Sequence, residues 1–373
     1  MPDRRDGPLH AVQVSFHADA ERREPAALLD AWPTLPSVAC ATARAGVRTT
    51  VVQTAHRDEV IERDDVRFEF VRDDSRLRRR VVARVASLRP DVIHAQGFHN
   101  AFAVRALSWA SGAPVLVQDH AGIAPDGLRG LRWRWAFSKI GAAAFTVREQ
   151  SAPWKEARVL RGDLPVFEVL EGSSSFSPGD QGAARRATNI FGNPCLVWTS
   201  HLKPVKDPMM MLAAVECALP LIPEARLWCY FGESPMLDVV RARIEASPTL
   251  RAHVSLQGRR PHAEMELVHR AADFFIQTSH RESSGYSLLE AMSCGVTPIV
   301  TDIPAARWIV ADAGSLTPVG DASAMADALV RWSACDRAAS RSVVRTRFQR
   351  ELTFDAIGRQ LLHAYESLVP CAS

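Results

Sequence analysis

The chain alternates short apolar runs with helix-length segments, and does so in both halves. Residues 91–95 and 115–119 are apolar runs that follow Pro90 and Pro114, as buried parallel strands tend to do. Residues 11–16, 48–54, 66–71, 142–147 and 166–170 continue the series. Between them, 26–45 reads as helical turns broken by Pro33 and Pro36, and 76–88 as a basic helix. The second half repeats the scheme, with strands expected at 195–199, 226–231, 253–256, 274–278 and 297–301 and one charged helix over 341–368. Alternation of this kind predicts doubly wound α/β sheets. Residues 172–190, rich in Ser, Gly and Asp with Pro178, read as an interdomain linker. At 373 residues and 47% apolar content, the chain fits two domains of ordinary size with full cores.

The densest chemistry lies in the second half. Glu282-Ser-Ser-Gly-Tyr-Ser-Leu-Leu-Glu290 places two carboxylates eight residues apart around Gly285, and Gly295 and Pro298 follow. The order reads as loop, glycine, helix, glycine turn, strand. Gly285 opens the helix and Gly295 closes it; Pro298 sits at the start of the strand, where a missing N–H is tolerated. A helix that opens just after a glycine offers free N–H groups and the positive end of its dipole to a phosphate. Were the whole stretch helical, the two Cα atoms would lie about 12 Å apart, near the length of a nucleoside diphosphate sugar. One carboxylate would then take hydroxyls at the sugar end and the other at the ribose end. The plainer alternative is an amphipathic helix with two solvated glutamates.

This stretch resembles the Glu-x7-Glu motif of the retaining glycosyltransferases with the GT-B fold, especially the large family-4 group. Four other segments are similar to that family in its own order. They are Val169-Leu-Glu-Gly-Ser-Ser-Ser-Phe-Ser-Pro178 (an interdomain turn), Val197-Trp-Thr-Ser-His-Leu-Lys-Pro-Val-Lys-Asp207 (a basic loop), Val254-Ser-Leu-Gln-Gly-Arg259 (a strand and glycine loop at the base) and the closing helix over 352–365. The resemblance implies an α/β fold of two Rossmann-like domains facing across a cleft. The acceptor domain would take residues 1–178 and the nucleotide-sugar donor domain 179–350, with a C-terminal helix, 351–373, packing back on the first. It also implies transfer of a sugar from a nucleoside diphosphate sugar to an acceptor with retention of configuration, without a metal ion or other cofactor.

Carried over residue by residue, the resemblance makes Glu282 the holder of sugar hydroxyls, Glu290 of the ribose and Lys206 of the leaving diphosphate. His120, at a strand end in Val117-Gln-Asp-His-Ala-Gly122, would sit by the reacting carbon. Ser283, Ser284, Gly285, Tyr286 and Ser287 would act mainly through backbone N–H groups, the first reaching sugar hydroxyls and the later ones phosphates. Gly232 and Glu233 would line the cleft, and Gly258 and Arg259 would contact the base. His94 and His99 read as scaffold or acceptor-side residues. Lysine is scarce, occurring at Lys139, Lys155, Lys203 and Lys206. Two departures stand out. His201 occupies the place of the family's Arg, so a phosphate role there needs a protonated ring, with tighter donor binding at mildly acid pH and Lys203 in partial compensation. The loop from His17 to Pro25 lacks the usual glycines.

Several classes are disfavoured. A net charge of +3 is too mild for a nucleic-acid protein. The seven cysteines form no C-x-x-C pair, which fits a reducing cytoplasm. No clustered His/Cys set suggests a metal site, and no P-loop or GxGxxG fingerprint suggests an NTPase or dehydrogenase. The start, with Asp3, Arg4, Arg5 and Asp6, lacks a signal-peptide apolar region, and no stretch of about 20 apolar residues spans a membrane. Leu131-Arg-Trp-Arg-Trp-Ala-Phe-Ser-Lys139 and Arg76-Leu-Arg-Arg-Arg80 are basic segments of a type that can lie on anionic lipid, or can be the solvent face of a core helix. The reading is a cytoplasmic glycosyltransferase, either free or peripheral on the inner face of the membrane. A sugar phosphorylase on the same scaffold and a non-catalytic nucleotide-sugar binding protein are the alternatives.

Overall fold

The computed structural model describes residues 7–369, so Asp3 to Asp6 lie outside it. The chain forms two units: residues up to Gly172 together with those from Phe354, and Ser173–Thr353.

In the first unit, the strands are β1 (His10–Ser15), β2 (Arg48–Ala55), β3 (Glu59–Arg63), β4 (Val66–Arg72), β5 (Val92–Gln96), β6 (Val115–Gln118), β7 (Ala142–Phe145) and β8 (Val166–Glu168). They make one sheet in the order β3-β4-β2-β1-β5-β6-β7-β8. All neighbours are parallel except β3, which runs antiparallel on β4. The helices are α1 (Pro25–Ala31), α2 (Thr34–Arg44), α3 (Leu77–Ser87), α4 (Ala101–Ser111), α5 (Gly127–Phe137) and α6 (Ala152–Glu156). Strands β2 and β4 feed both layers, through Val52 and Val71 on one face and Val51 and Phe68 on the other. Val12, Val14, Ile93 and Val117 pack with Val85, Leu107 and Phe137 in one core cluster, while Val51, Phe68 and Phe70 pack with Leu28, Leu29 and Ala39 in another.

The second unit runs α7 (Gln181–Thr188), β9 (Cys195–Ser200), α8 (Pro208–Ala218), β10 (Arg226–Phe231), α9 (Leu237–Glu245), α10 (Pro248–His253), β11 (Val254–Gly258), α11 (His262–Ala271) and β12 (Phe274–Gln277). It continues with α12 (Tyr286–Ser293), β13 (Thr297–Thr301), α13 (Pro304–Val310), β14 (Ser315–Thr317), α14 (Ala322–Ser333) and α15 (Arg337–Arg347). The sheet order is β11-β10-β9-β12-β13-β14, and every neighbouring pair is parallel. This is the doubly wound arrangement whose order reverses between its first and fourth strands, here β9 and β12.

Four features differ from the sequence reading. The expected linker at 172–190 contains a helix, α7. Its Gln181 and Arg185 side chains bind the buried Asp273 carboxylate at 3.0 and 2.7 Å, and Asp180 caps its start. Residues before it also belong to the second unit, because the Ser177 N–H donates to Glu266 at 2.8 Å and Arg270 donates to the Ser177 carbonyl at 2.8 Å. The hairpin strand β3 was missed because it is charged and largely exposed. Its turn is made by Asp64 and Asp65, both at positive φ (52° and 61°), as a two-residue type I′ connection requires. The short β14 was also unread. Finally, the helix expected over 341–368 is two helices, α15 and α16 (Phe354–Leu368), separated by a π-type turn at Phe348–Leu352 and by Thr353 in extended backbone. The chain returns to the first unit at that break.

Helix α16 is built into the first unit. The Arg44 guanidinium pairs with Asp355 at 2.6 Å, and the Tyr365 hydroxyl meets His94 Nδ1 at 2.8 Å. Gly358 lies so close to α2 that a Cβ there would sit 2.3 Å from the Ala41 carbonyl oxygen. Gly358→Ala is therefore expected to cost about 2–3 kcal/mol through forced separation of α2 and α16, read as a lowered urea midpoint with an unchanged slope.

Candidate functional site

Ligands of open parallel sheets sit beyond the carboxyl ends of the strands, where the strand order reverses. In the second unit that place is bounded by the loops after β9 and β12. The two loops are stitched together. The His280 N–H donates to the Val205 carbonyl at 2.8 Å, the Thr278 hydroxyl donates to the Lys206 carbonyl at 2.8 Å, and His280 Nε2 meets Asp207 at 2.8 Å. Asp207 takes a left-handed conformation (φ 44°) and caps α8 through Met210 N–H. This fixes Lys206 just before the helix.

Lys206 Nζ donates to Glu282 Oε1 at 2.5 Å, and the Ser279 hydroxyl donates to the same oxygen at 2.6 Å. Both side chains of the pair are largely screened from solvent, at 17% and 15% exposure. Gly285 then starts α12 at φ 67°. A Cβ at Gly285 would make only ordinary contacts, with Gln277 at 3.6 Å and Glu282 at 3.9 Å. The position therefore calls for glycine for its backbone conformation rather than for space. Ser283 and Ser284 are buried, Ser287 is half-buried and Tyr286 is exposed.

His201, Lys203, Gly232 and Glu233 form a second cluster beside the first. Lys203 Nζ donates to Glu233 at 2.9 Å. His201 Nδ1 accepts the Glu233 backbone N–H at 3.0 Å. Gly232 makes room for this ring, since a Cβ there would lie 3.2 Å from it. Burial, together with Lys203 and Lys206, lowers the His201 pKa despite the opposing pull of Glu233. A ring that accepts at Nδ1 and is shifted away from protonation works against the protonated state that a phosphate role at position 201 needs.

Glu290 has different partners from Glu282. Its Oε1 receives His262 Nε2 at 2.7 Å, and its Oε2 lies 3.7 Å from Nε2 of the fully buried His269. Burial opposes its charge, but the two histidines outweigh burial and bring its pKa down to about 2. The bond to Glu290 raises the His262 pKa. Phe176 lies against the His262 ring at 4.9 Å. Gly258 ends β11 at φ 70°, and Arg259 beside it is exposed.

In the first unit, His120 Nδ1 pairs with Glu171 at 2.8 Å and Nε2 with the Gln96 side-chain oxygen at 2.7 Å. Asp119 accepts the Gly122 N–H at 2.9 Å. Burial, reinforced by Glu171, pushes the Asp119 pKa up to about 6. His94 is scaffold: it is fully buried against Tyr365, and burial lowers its pKa to about 3. The His99 ring folds back over Gly97, where a Cβ would meet it at 2.6 Å.

The structure thus joins Lys206 to Glu282, and His201 to Glu233. The sequence reading missed Ser279, His262, His269, Gln96 and Glu171. His262 and His269 stand seven residues apart on α11, a same-face spacing that is a weak signal alone. Among the described residues, no group of three His, Cys, Asp or Glu side chains could hold a metal ion.

Residues 181–347 match the family model described as "Glycosyl transferases group 1". In fold, 96% of the chain superposes on a whole Anabaena HepE chain crystallised in complex with UDP, with TM-score 0.70 and 17% identity. The chain has the GT-B fold. A D-inositol 3-phosphate glycosyltransferase of Segniliparus rotundus is 32% identical over 129 residues, 34% of this chain and 28% of that protein. A phosphatidyl-myo-inositol mannosyltransferase of Mycolicibacterium smegmatis is 31% identical over 171 residues, 43% of each. The chain spans less than half of the length of either.

Two outcomes follow. The His201 ring should titrate below the ordinary histidine value of 6.5, visible as a low midpoint for its Cε1–H resonance; a midpoint above that value would restore the cationic reading. The His262–Glu290 pair should add stability within a defined pH window. The lowered Glu290 value means its contribution is present above the unfolded value of 4.5 and is lost as pH falls toward about 2. The raised His262 value means its contribution is present below 6.5 and is lost as pH rises through the raised value. The difference in melting temperature between wild type and His262→Gln should therefore be largest near about pH 5–6 and shrink by about pH 8.

Proposed function

We propose that the chain is a glycosyltransferase that uses a nucleoside diphosphate sugar and retains anomeric configuration, with no metal ion required. The observation that supports this most is the Lys206–Glu282 bridge, held between the β9 and β12 loops just ahead of α12. A departing nucleoside diphosphate builds negative charge on its leaving oxygen. Lys206 and the first N–H groups of α12 would supply positive charge for that oxygen. The donor's phosphate would compete with Glu282 for Lys206. Glu282 would then be free to accept hydrogen bonds from sugar hydroxyls, with Ser279 still fixing one of its oxygens. Glu290, kept ionised by His262 and His269, is a ready acceptor for two ribose hydroxyls. His120, oriented by Glu171, would serve at the sugar's reacting carbon, the role that the resemblance assigns it. Transfer by proteins with partly similar sequences to inositol-containing acceptors favours a polyol or lipid-linked acceptor.

The test is transfer from UDP-, GDP- and ADP-sugars, chosen by which nucleoside diphosphate raises the melting temperature. Lys206→Ala and Glu282→Ala should each lower kcat about 10²–10³-fold. Glu290→Ala should mainly raise KM, by about tenfold, because a ribose contact is made equally in ground and transition states. Full activity in Lys206→Ala would overturn the diphosphate assignment. Activity that needs inorganic phosphate in place of a nucleotide donor would point to a phosphorylase instead.

A further inference from the structure

The basic, aromatic stretch around Leu131–Lys139 is sorted by the fold into two opposite faces. Helix α5 buries Gly130, Trp133, Ala136 and Phe137. At about 100° per residue, Leu128, Leu131 and Trp135 fall together on the opposite side, within roughly one-sixth of the helix circumference. They are exposed at 81%, 61% and 55%. Trp109 on the neighbouring α4 is 91% exposed, and Ile123 in the loop before α5 is 70% exposed. The two helices are joined at this surface. The Arg105 guanidinium lies 3.8 Å from the Trp135 ring and donates to the Trp135 carbonyl at 2.9 Å. Phe102, Arg105 and Trp109 share one face of α4 at i, i+3, i+7 spacing.

Within the helix the charges carry one sign, with Asp126 just before its start. Arg132 flanks the apolar stripe on one side and Arg134 on the other, and Arg129 and Lys139 lie on the same segment. Gly127 to Lys139 contains four cations and no Asp or Glu. A helix with an outward apolar stripe, indole rings and bordering arginines suits the boundary between lipid headgroups and acyl chains. There the rings sit at headgroup depth and the guanidiniums reach anionic phosphates. A second copy of this chain fits less well, because a two-fold contact would set arginine-rich helix against arginine-rich helix.

We propose that α5, with Trp109 and Ile123, is a docking surface for an anionic lipid bilayer. The proposal is independent of the donor chemistry, so its test involves no sugar transfer. Full-length protein is sedimented with vesicles of phosphatidylcholine alone and of phosphatidylcholine mixed with phosphatidylglycerol, at low and high salt. Binding is expected to the anionic vesicles and to weaken with salt. Leu128→Ser/Leu131→Ser/Trp135→Ser should lower the partition coefficient at least about tenfold. Arg132→Gln/Arg134→Gln should lower it about fivefold per charge removed. All of these side chains are exposed, and loss of the Trp135–Arg105 and Arg132–Phe102 stacking should lower the melting temperature by no more than about 5 °C, which controls for folding. Absence of binding to anionic vesicles at low salt would overturn the proposal. So would undiminished binding by the triple Ser variant, or sedimentation velocity showing a dimer that the same variant dissolves.

Discussion

The ion pair between Lys206 and Glu282 depends on one topological fact. The two residues are 76 positions apart in the chain, yet they follow strands that are neighbours in the sheet. From β9 the chain moves outward through β10 to β11, then crosses back to lay β12 on the other side of β9. The loops leaving β9 and β12 are therefore adjacent, and nothing in a right-handed parallel sheet fills the gap between them. The hydrogen bonds from Thr278 and His280 to the Lys206 loop hold that gap to a fixed width. Strand order thus becomes a place where a cation, a carboxylate and a helix start face a common volume.

The same unit is braced at the opposite end of its strands by a buried charge. Asp273 precedes β12 and accepts the Cys195 N–H at 2.7 Å, where β9 begins. Arg185 pairs with it at 2.7 Å and Arg337 at 3.4 Å, drawing α7 and α15 onto the strand starts. An unpaired carboxylate at 2% side-chain exposure would cost several kcal/mol. Multiple partners make this burial tolerable and fix the register of β9 against β12, on which the site at the other end relies.

Much of this was legible locally. The parallel strands announced themselves by apolar runs, and the Gly285–Gly295 helix by its two glycines, because these signals are set by backbone conformation and burial on both faces. What stayed hidden was charged or distant. β3 is exposed and carries no apolar run, and α7 looked like a linker because its partners on β12 and α11 lie far along the chain. Thr353 interrupts a helical pattern that periodicity alone carries through, although a threonine ahead of a first turn that carries Asp355 is a helix-start signal.

The sequence by itself determined the two α/β units and the glycine-opened helix, since residue type and short-range spacing specify them, while Lys206, Glu282 and Glu290 were singled out together by family resemblance. Tertiary structure alone decided their pairings. Glu282 went to Lys206, Glu290 to two histidines of α11, and His201 Nδ1 became the acceptor of a backbone N–H. Each outcome depends on which loops the crossovers bring together and on how far burial shifts a charge, and neither quantity is written in any local stretch of the chain.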